Sequence, residues 1–317
     1  MILNPLLRSF YSIVSPGNTK GKLQIFIFHR VLDKPDPLMP GEPDVIQFER
    51  IVDMLSKVYN VISLPEAVER LKQKTLPSRA ACITFDDGYK DNFSNAYPIL
   101  KKYGLPATIF VATDYLGDGM MWNDIIIESI RGYNDYLTVN ELDIHDVDCQ
   151  TDNQKKDLIK LIIGKIKYKK YAERIKFVEQ LEQSLGYQRK MFMMSNEDVK
   201  NISGDLITIG AHTKTHPILT TTTESEAKIE IGESKEYLEG LLNKKIDSFA
   251  YPNGQPGTDY GDKDVVIVKQ LGFKAAVSTR KSIANYQDSP FELPRFTPWD
   301  KSMTKFMLRN IRETYKS

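Results

Sequence analysis

The stretch Ala81-Cys82-Ile83-Thr84-Phe85-Asp86-Asp87-Gly88-Tyr89 constrains the fold more than any other: an apolar run stops on two adjacent carboxylates and a glycine. An apolar run bounded by a turn signal reads as a buried strand, and the glycine lets the chain turn sharply as it leaves the sheet. Both aspartates are therefore expected at a strand's C-terminal end. In α/β folds that rim is where loops project groups from several strands into one crevice. Taken alone, Asp86-Asp87-Gly88 is also an ordinary turn, so its meaning depends on what the rest of the chain brings to it.

The surrounding pattern is strand, helix, strand, helix. Residues 23–28 predict a first strand that ends on His29-Arg30-Val31. Ile46, Phe48, Ile51, Val52, Leu55 and Val58 fall near helical spacing, and a short strand follows around Val61 and Ile62. Ser63-Leu64-Pro65-Glu66 has the form of a capping box that opens a helix through Leu71. After the paired aspartates a helix through Tyr103 is expected, capped by Gly104, and then the strand 107–111. The alternation resumes with a strand over 206–211, a charged helix over 225–242 with Tyr237, Leu238, Leu241 and Leu242 inward, and a short strand over 248–251. A helix over 265–271 capped by Gly272 leads to a strand over 273–278.

Between residues 117 and 200 the pattern changes to long helical periodicities with many charges and no convincing strand. We expect one domain over 1–317 with this stretch as a helical insertion. Within it, residues 155–176 carry nine Lys/Arg against Asp157 and Glu173. Leu158, Ile159, Ile162, Ile163 and Ile166 recur there at helical spacing, which suits either a face packed on its own domain or a basic surface resting on a membrane or an anionic glycan.

Composition narrows the function classes. Forty-three basic against forty-two acidic residues give a net charge of +1, so nothing points to nucleic acid. Cys82 and Cys149 are too few for a disulfide framework and read as buried or idle thiols. Residues 1–14 are interrupted by Asn4, Pro5 and Arg8 and lack the order of a secretory signal, and no span approaches the roughly eighteen apolar residues of a membrane helix. The expectation is a cytoplasmic protein, with weak membrane-surface contact through this segment left open.

His212-Thr213-Lys214-Thr215-His216 places two histidines three residues apart where a strand passes into a loop. Two neutral imidazoles and one carboxylate make a three-ligand site with a position left for water, the arrangement of catalytic zinc, and Asp87 is the natural third ligand. Such a water still needs a base, and an adjacent carboxylate supplies one. This gives a use for two neighbouring aspartates: one binds and the other abstracts.

These residues resemble a known family. Thr84-Phe85-Asp86-Asp87-Gly88 and His212-Thr213-Lys214-Thr215-His216 look like the first two motifs of the polysaccharide deacetylases with the NodB homology domain, carbohydrate esterase family 4. Phe249-Ala250-Tyr251-Pro252-Asn253-Gly254 resembles the third. The resemblance implies a distorted (β/α) barrel with fewer strands than eight, and metal-dependent hydrolysis of an N-acetyl group on a sugar. It makes Asp86 the general base, Asp87, His212 and His216 the metal ligands, and the Asn253 N–H an oxyanion donor. Two positions depart from the common pattern: Ala250 stands where many members carry an arginine that orients the base, and no histidine follows His216 to protonate the leaving amine. A circularly permuted branch supplies candidates for both. Ile27-Phe28-His29-Arg30-Val31 resembles its acid-bearing strand, making His29 the general acid, and Arg295 in Leu293-Pro294-Arg295-Phe296 either reaches Asp86 or pairs with a surface carboxylate. Tyr89, Tyr251 and Trp122 are candidate substrate contacts, Trp122 as a stacking platform for a sugar ring or as core.

The expectation is thus an α/β hydrolase that removes N-acetyl groups from a polysaccharide, oligosaccharide or glycolipid precursor. The metal is expected to be zinc first, with Co2+, Ni2+ or Fe2+ also suited to the ligand set. Two rivals stand beside it: hydrolysis of another acyl group, such as O-acetyl or N-formyl on a small sugar, and a non-catalytic glycan-binding protein of the same fold.

Overall fold

A computed structural model describes residues 21–298 together with residues 305 and 309. The elements run β1 (Leu23–Phe28), α1 (Val45–Val58), β2 (Asn60–Val61), α2 (Leu64–Gln73), β3 (Ala80–Phe85), α3 (Tyr97–Tyr103) and β4 (Ala107–Val111). An inserted set follows: α4 (Trp122–Arg131), β5 (Tyr136–Val139), β6 (Ile144–Asp148), α5 (Asp152–Ile166), α6 (Tyr171–Leu185) and α7 (Asn196–Ile202). Then come β7 (Ile207–Ala211), α8 (Glu224–Leu242), β8 (Ser248–Ala250), α9 (Asp262–Gln270) and β9 (Ala275–Val277).

Seven strands form one parallel sheet in the order β1-β3-β4-β7-β8-β9, with β2 beside the start of β3. The sheet curls, and residues 293–296 bridge its two ends. Ser278 N–H donates to Leu293 O and Leu293 N–H to Ala276 O on the β9 side. Phe296 N–H donates to Ile25 O and Ile27 N–H to Phe296 O on the β1 side.

Side chains alternate across a strand, so each strand serves two layers. Leu23, Ile25, Cys82, Phe110, Ala250, Val277 and Leu293 fill the interior of the curl. Phe26, Phe28, Ile83, Phe85, Ile109, Ile209, Phe249 and Tyr251 face outward beneath the helices. Gly210 leaves room for the interior Phe110, since a Cβ there would lie 2.5 Å from that ring. The interior parity of β1, β3 and the closing segment continues past the strand ends to His29, Asp86 and Arg295.

The insertion differs from a purely helical one. β5 and β6 pair antiparallel, with Leu137 and Val139 buried and Tyr136 and Thr138 exposed, an alternation that the charges of residues 143–148 mask in the sequence. Leu158, Ile159, Ile162 and Ile166 of α5 are buried against Ile125, Ile126 and Ile130 of α4 and Phe177, Val178 and Leu181 of α6. The apolar stripe is covered by its own protein; Lys156, Lys160 and Lys165 lie away from it, while Lys155 is buried at its start and donates to Arg131 O and Asn134 Oδ1. On α8, Leu238 is buried but Tyr237 is exposed and donates to Asn196, contrary to the inward placement expected for it. Cys82 and Cys149 are both free and buried. Among the described residues no helix is long and apolar enough to cross a membrane, and the segment 1–14 lies outside them.

Candidate active site

The sheet register brings the chemistry-bearing residues to one rim. Phe28 is level with Phe85, and Ala211 pairs with both Val111 and Phe249, so His29, Asp86 and His212 leave their strands at the same end. Asp86 N–H still donates to Phe28 O, and His212 N–H to Val111 O, which extends the ladder by one residue at each place. Beyond it the backbone becomes unusual. Asp87 (φ 75°), Thr213 (φ 61°), His216 (φ 52°) and Asn253 (φ 54°) are all left-handed. Asp and Asn tolerate that region, but a β-branched threonine there is strained at a cost of roughly 1–3 kcal/mol, and such strain gathers where function over-determines the backbone.

Several side chains hold the strained loop 212–216. Thr213 Oγ1 donates to His212 O and accepts from His216 N–H. Glu230, on α8, accepts from the N–H groups of Lys214 (3.0 Å) and Thr215 (2.8 Å) and from Thr215 Oγ1 (2.7 Å). Arg174, on α6, donates to His216 O at 3.2 Å. Neither Glu230 nor Arg174 is marked by the sequence, where each is one charge among many on a helix.

Asp87, His212 and His216 converge, with one ligand atom from each within 4.8 Å of the others, and all three are buried. His212 Nε2 and His216 Nε2 each stand 3.4 Å from Asp87 Oδ1. That oxygen is buried and takes part in no hydrogen bond, nor does His216 Nδ1. His212 Nδ1 lies 2.7 Å from Ala250 O, a contact that fixes the proton on Nδ1 and leaves the Nε2 lone pair toward the cluster. Burial lowers both imidazoles. Asp86 and Asp87 lift His212 above its ordinary value, while His216 is driven down to about 3 and so carries the neutral, ligating form. Burial alone would raise Asp87, but the imidazoles of His212, His216 and His29 hold it well below the usual carboxylate range. An N, N, O donor set around an oxygen lacking a hydrogen-bond donor fits a divalent cation.

Asp86 sits beside this cluster, its Oδ2 3.9 Å from His212 Nε2. Arg295 grips it bidentately at 2.7 Å on each oxygen and also donates to Ser278 O and Thr84 Oγ1. The guanidinium is 1% exposed, which decides between the two fates open to it: it reaches Asp86 from the closing segment and is not on the surface. Burial would raise Asp86, yet Arg295 and then His212 hold it below its ordinary value.

A cavity of 760 Å3 opens over the rim and is lined by His29, Asp86, Asp87, His212, His216 and Asn253, with Tyr89, Trp122 and Asp124 on its wall. His29 O accepts from Asn92 Nδ2 at 2.8 Å, and Asp91 pins the next residues through Arg30 Nε (2.9 Å) and Val31 N–H (3.0 Å). The Asn253 N–H has no partner among the described residues, and its carbonyl accepts from Thr279 Oγ1.

The aromatic expectations fare differently. Tyr251 is fully buried, stacked 3.8 Å from Tyr260, and donates to Phe291 O; strand alternation turns it away from the cavity, so the structure corrects its reading as a substrate contact. Trp122 reaches the wall, but it is 5% exposed and Arg174 covers its ring at 4.7 Å, which leaves a packed wall and not an open platform for stacking. Tyr89 lines the cavity with Arg30 4.7 Å over its ring, and its hydroxyl donates to Asp124 at 2.9 Å. Asp124, missed in the sequence, is a buried carboxyl that desolvation pushes up to about 7 against the pull of Arg30.

Comparison with known proteins agrees with this geometry. Residues 73–276 match the family model described as polysaccharide deacetylase. YxkH of Bacillus subtilis is 23% identical over 276 residues, covering 86% of this chain and 70% of that protein. A poly-β-1,6-N-acetyl-D-glucosamine N-deacetylase of Staphylococcus aureus is 31% identical over 157 residues, 48% of this chain and only half of that enzyme. The deacetylase PplD of Streptococcus pyogenes, solved with acetate, superposes with a TM-score of 0.61 over 92% of this chain and 98% of its own at 19% identity, which speaks for a shared fold. The match over most of the sheet, carrying the paired aspartates and both histidines, means that this chain belongs to the polysaccharide deacetylase family.

Proposed function

We propose that this protein is a metal-dependent hydrolase that removes N-acetyl groups from amino sugars of a polysaccharide, oligosaccharide or glycolipid precursor. The observation that carries the reading is the convergence of Asp87, His212 and His216 beside a carboxylate that Arg295 fixes bidentately. A divalent cation held by those three residues would supply Lewis-acid activation of water and of the acyl oxygen, zinc first by the donor set.

The chain's own residues supply the rest. Asp86 takes the proton of the attacking water, and its arginine keeps it ionised and aimed. The Asn253 N–H, which has no partner among the described residues and belongs to a residue that lines the cavity, donates to the oxygen on which negative charge develops. His29, which lines the same cavity, gives a proton to the sugar nitrogen as the C–N bond breaks. The packed wall of Trp122 and Tyr89 narrows the approach and excludes water.

The test is acetate release over a panel of N-acetylglucosamine oligomers, poly-β-1,6-N-acetylglucosamine, sugar nucleotides and an O-acetyl ester, with and without chelator. The staphylococcal relative's name is the reason to include the β-1,6 polymer. Asp86→Asn should lower amide turnover by about 10²–10⁴-fold with metal affinity nearly unchanged. Release from the ester alone would favour the other acyl chemistry, and no release by metal-loaded protein would favour glycan binding without turnover.

A further inference from the structure

Arg174 is a buried cation that the proposed chemistry does not use. It lies in the first turn of α6, inside the insertion, and is 1% exposed. Among the described residues it forms no ion pair, and its Nε has no hydrogen-bond partner. Taking a guanidinium out of water without a counter-ion is costly, so its contacts must be worth keeping. They are few and directed: one nitrogen donates to Lys167 O at 3.3 Å, another to His216 O at 3.2 Å, and the plane sits 4.7 Å over Trp122 and 5.9 Å from Tyr171.

His216 is left-handed at φ 52°, and Arg174 holds the carbonyl of that same residue, which restrains the backbone that carries the imidazole. A histidine released from that conformation would swing its ring off Asp87. Glu230 holds the N–H groups of the two preceding residues, so the loop is held both by a barrel helix and by the insertion.

We propose that Arg174 is a positioning residue for the metal centre: it locks the His216 backbone against Trp122, making the insertion a structural part of the ligand set. The inference rests on the reading that Asp87, His212 and His216 hold a divalent cation. It implies that the insertion does more than roof the cavity, because metal retention depends on it.

The test is Zn2+ affinity by chelator competition on the full chain, for wild type, Arg174→Gln and Arg174→Lys, with the melting temperature of each metal-free protein and the visible spectrum of each Co2+ form. Removing a partner one shell out from a metal typically costs 10–100-fold in affinity. We expect such a loss in Arg174→Gln with an altered Co2+ spectrum, and an intermediate loss in Arg174→Lys, which keeps the charge and one donor but not the planar fork. Wild-type affinity in either folded variant would overturn the inference, as would an affinity loss no larger than the fall in metal-free stability accounts for. If Arg174→Gln does not fold, Arg174→Lys decides alone by the same criteria. A wild-type protein that binds neither Zn2+ nor Co2+ would sink the metal reading itself, a different outcome from tight binding that ignores residue 174.

Discussion

Replacing Arg295 with methionine should leave Asp86 as a buried charge without the guanidinium that holds both its oxygens, and the size of the effect can be bounded. Both carboxylate oxygens accept from Arg295 at 2.7 Å, and Asp86 is 3% exposed. Breaking a buried pair by removing one partner costs about 3–5 kcal/mol. The carboxylate has an escape, which is to take a proton. At about pH 7 that costs roughly 4 kcal/mol, from an ordinary pKa of about 3.9 and about 1.4 kcal/mol per unit, and this caps the charge penalty. At about pH 5 the same cap falls to roughly 1.5 kcal/mol. The sign is fixed by direction. In the wild type, Asp86 lies below its ordinary value, so it adds stability above the unfolded-state pKa and loses it as pH falls through the folded one. In Arg295→Met burial takes over and raises it, so the variant loses stability as pH rises. Urea unfolding of the metal-free protein at the two pH values measures the difference, and adding Asp86→Asn completes the cycle. The charge account requires a penalty that shrinks at the lower pH and is largely recovered in the double variant. A penalty equal at both pH values, or a coupling under about 0.5 kcal/mol, would refute it.

Three further outcomes follow from the geometry. Gly210→Ala puts a Cβ 2.5 Å from the Phe110 ring and should cost about 1–3 kcal/mol in thermal unfolding, with Phe110→Leu recovering part of it. Asp124, pushed up to about 7, favours the protonated form in the folded state, so stability should fall as pH rises from about 4 toward 7 by up to roughly 4 kcal/mol. Asp124→Asn should flatten that slope in urea titrations, and an unchanged slope would remove Asp124 as its source. His29→Gln should depress turnover far more than metal content by elemental analysis; loss of metal instead would recast His29 as a ligand.

The parts of this molecule that the sequence made legible are those in which a few consecutive residues act together. β1 was expected at residues 23–28 and the structure has it there, because a run of five apolar residues and Gln24 ends abruptly on His29. The paired aspartates and the two histidines were readable because one loop carries each set. Glu230, Arg174 and Asp124 were not: each acts on a loop distant in sequence from a helix position that any polar residue might fill, and no local pattern separates a clamp from a solvated charge. The hairpin of residues 136–148 was hidden by its acidic second strand. Tyr251 is a different kind of error, since the alternation that places Ala250 inside the curl puts both its neighbours outside, a reading the sequence already permitted.

The closing segment 293–296 ties Asp86, the base of the proposed mechanism, to contacts between distant parts of the chain. Arg295 belongs to a segment that bonds both to β9, shortly before it in the sequence, and to β1, far earlier in the sequence. Contacts between such distant parts of a chain form late, because the loop entropy must be overcome before they give anything back. Without them Asp86 would lack the guanidinium that holds both its oxygens, and the proposed base would be neither fixed nor kept ionised by it. On the proposed reading, a chain that lacks this segment would hold Asp87, His212 and His216 and still lack an oriented base, so that competence for the proposed hydrolysis would arrive with the same contacts that close the sheet.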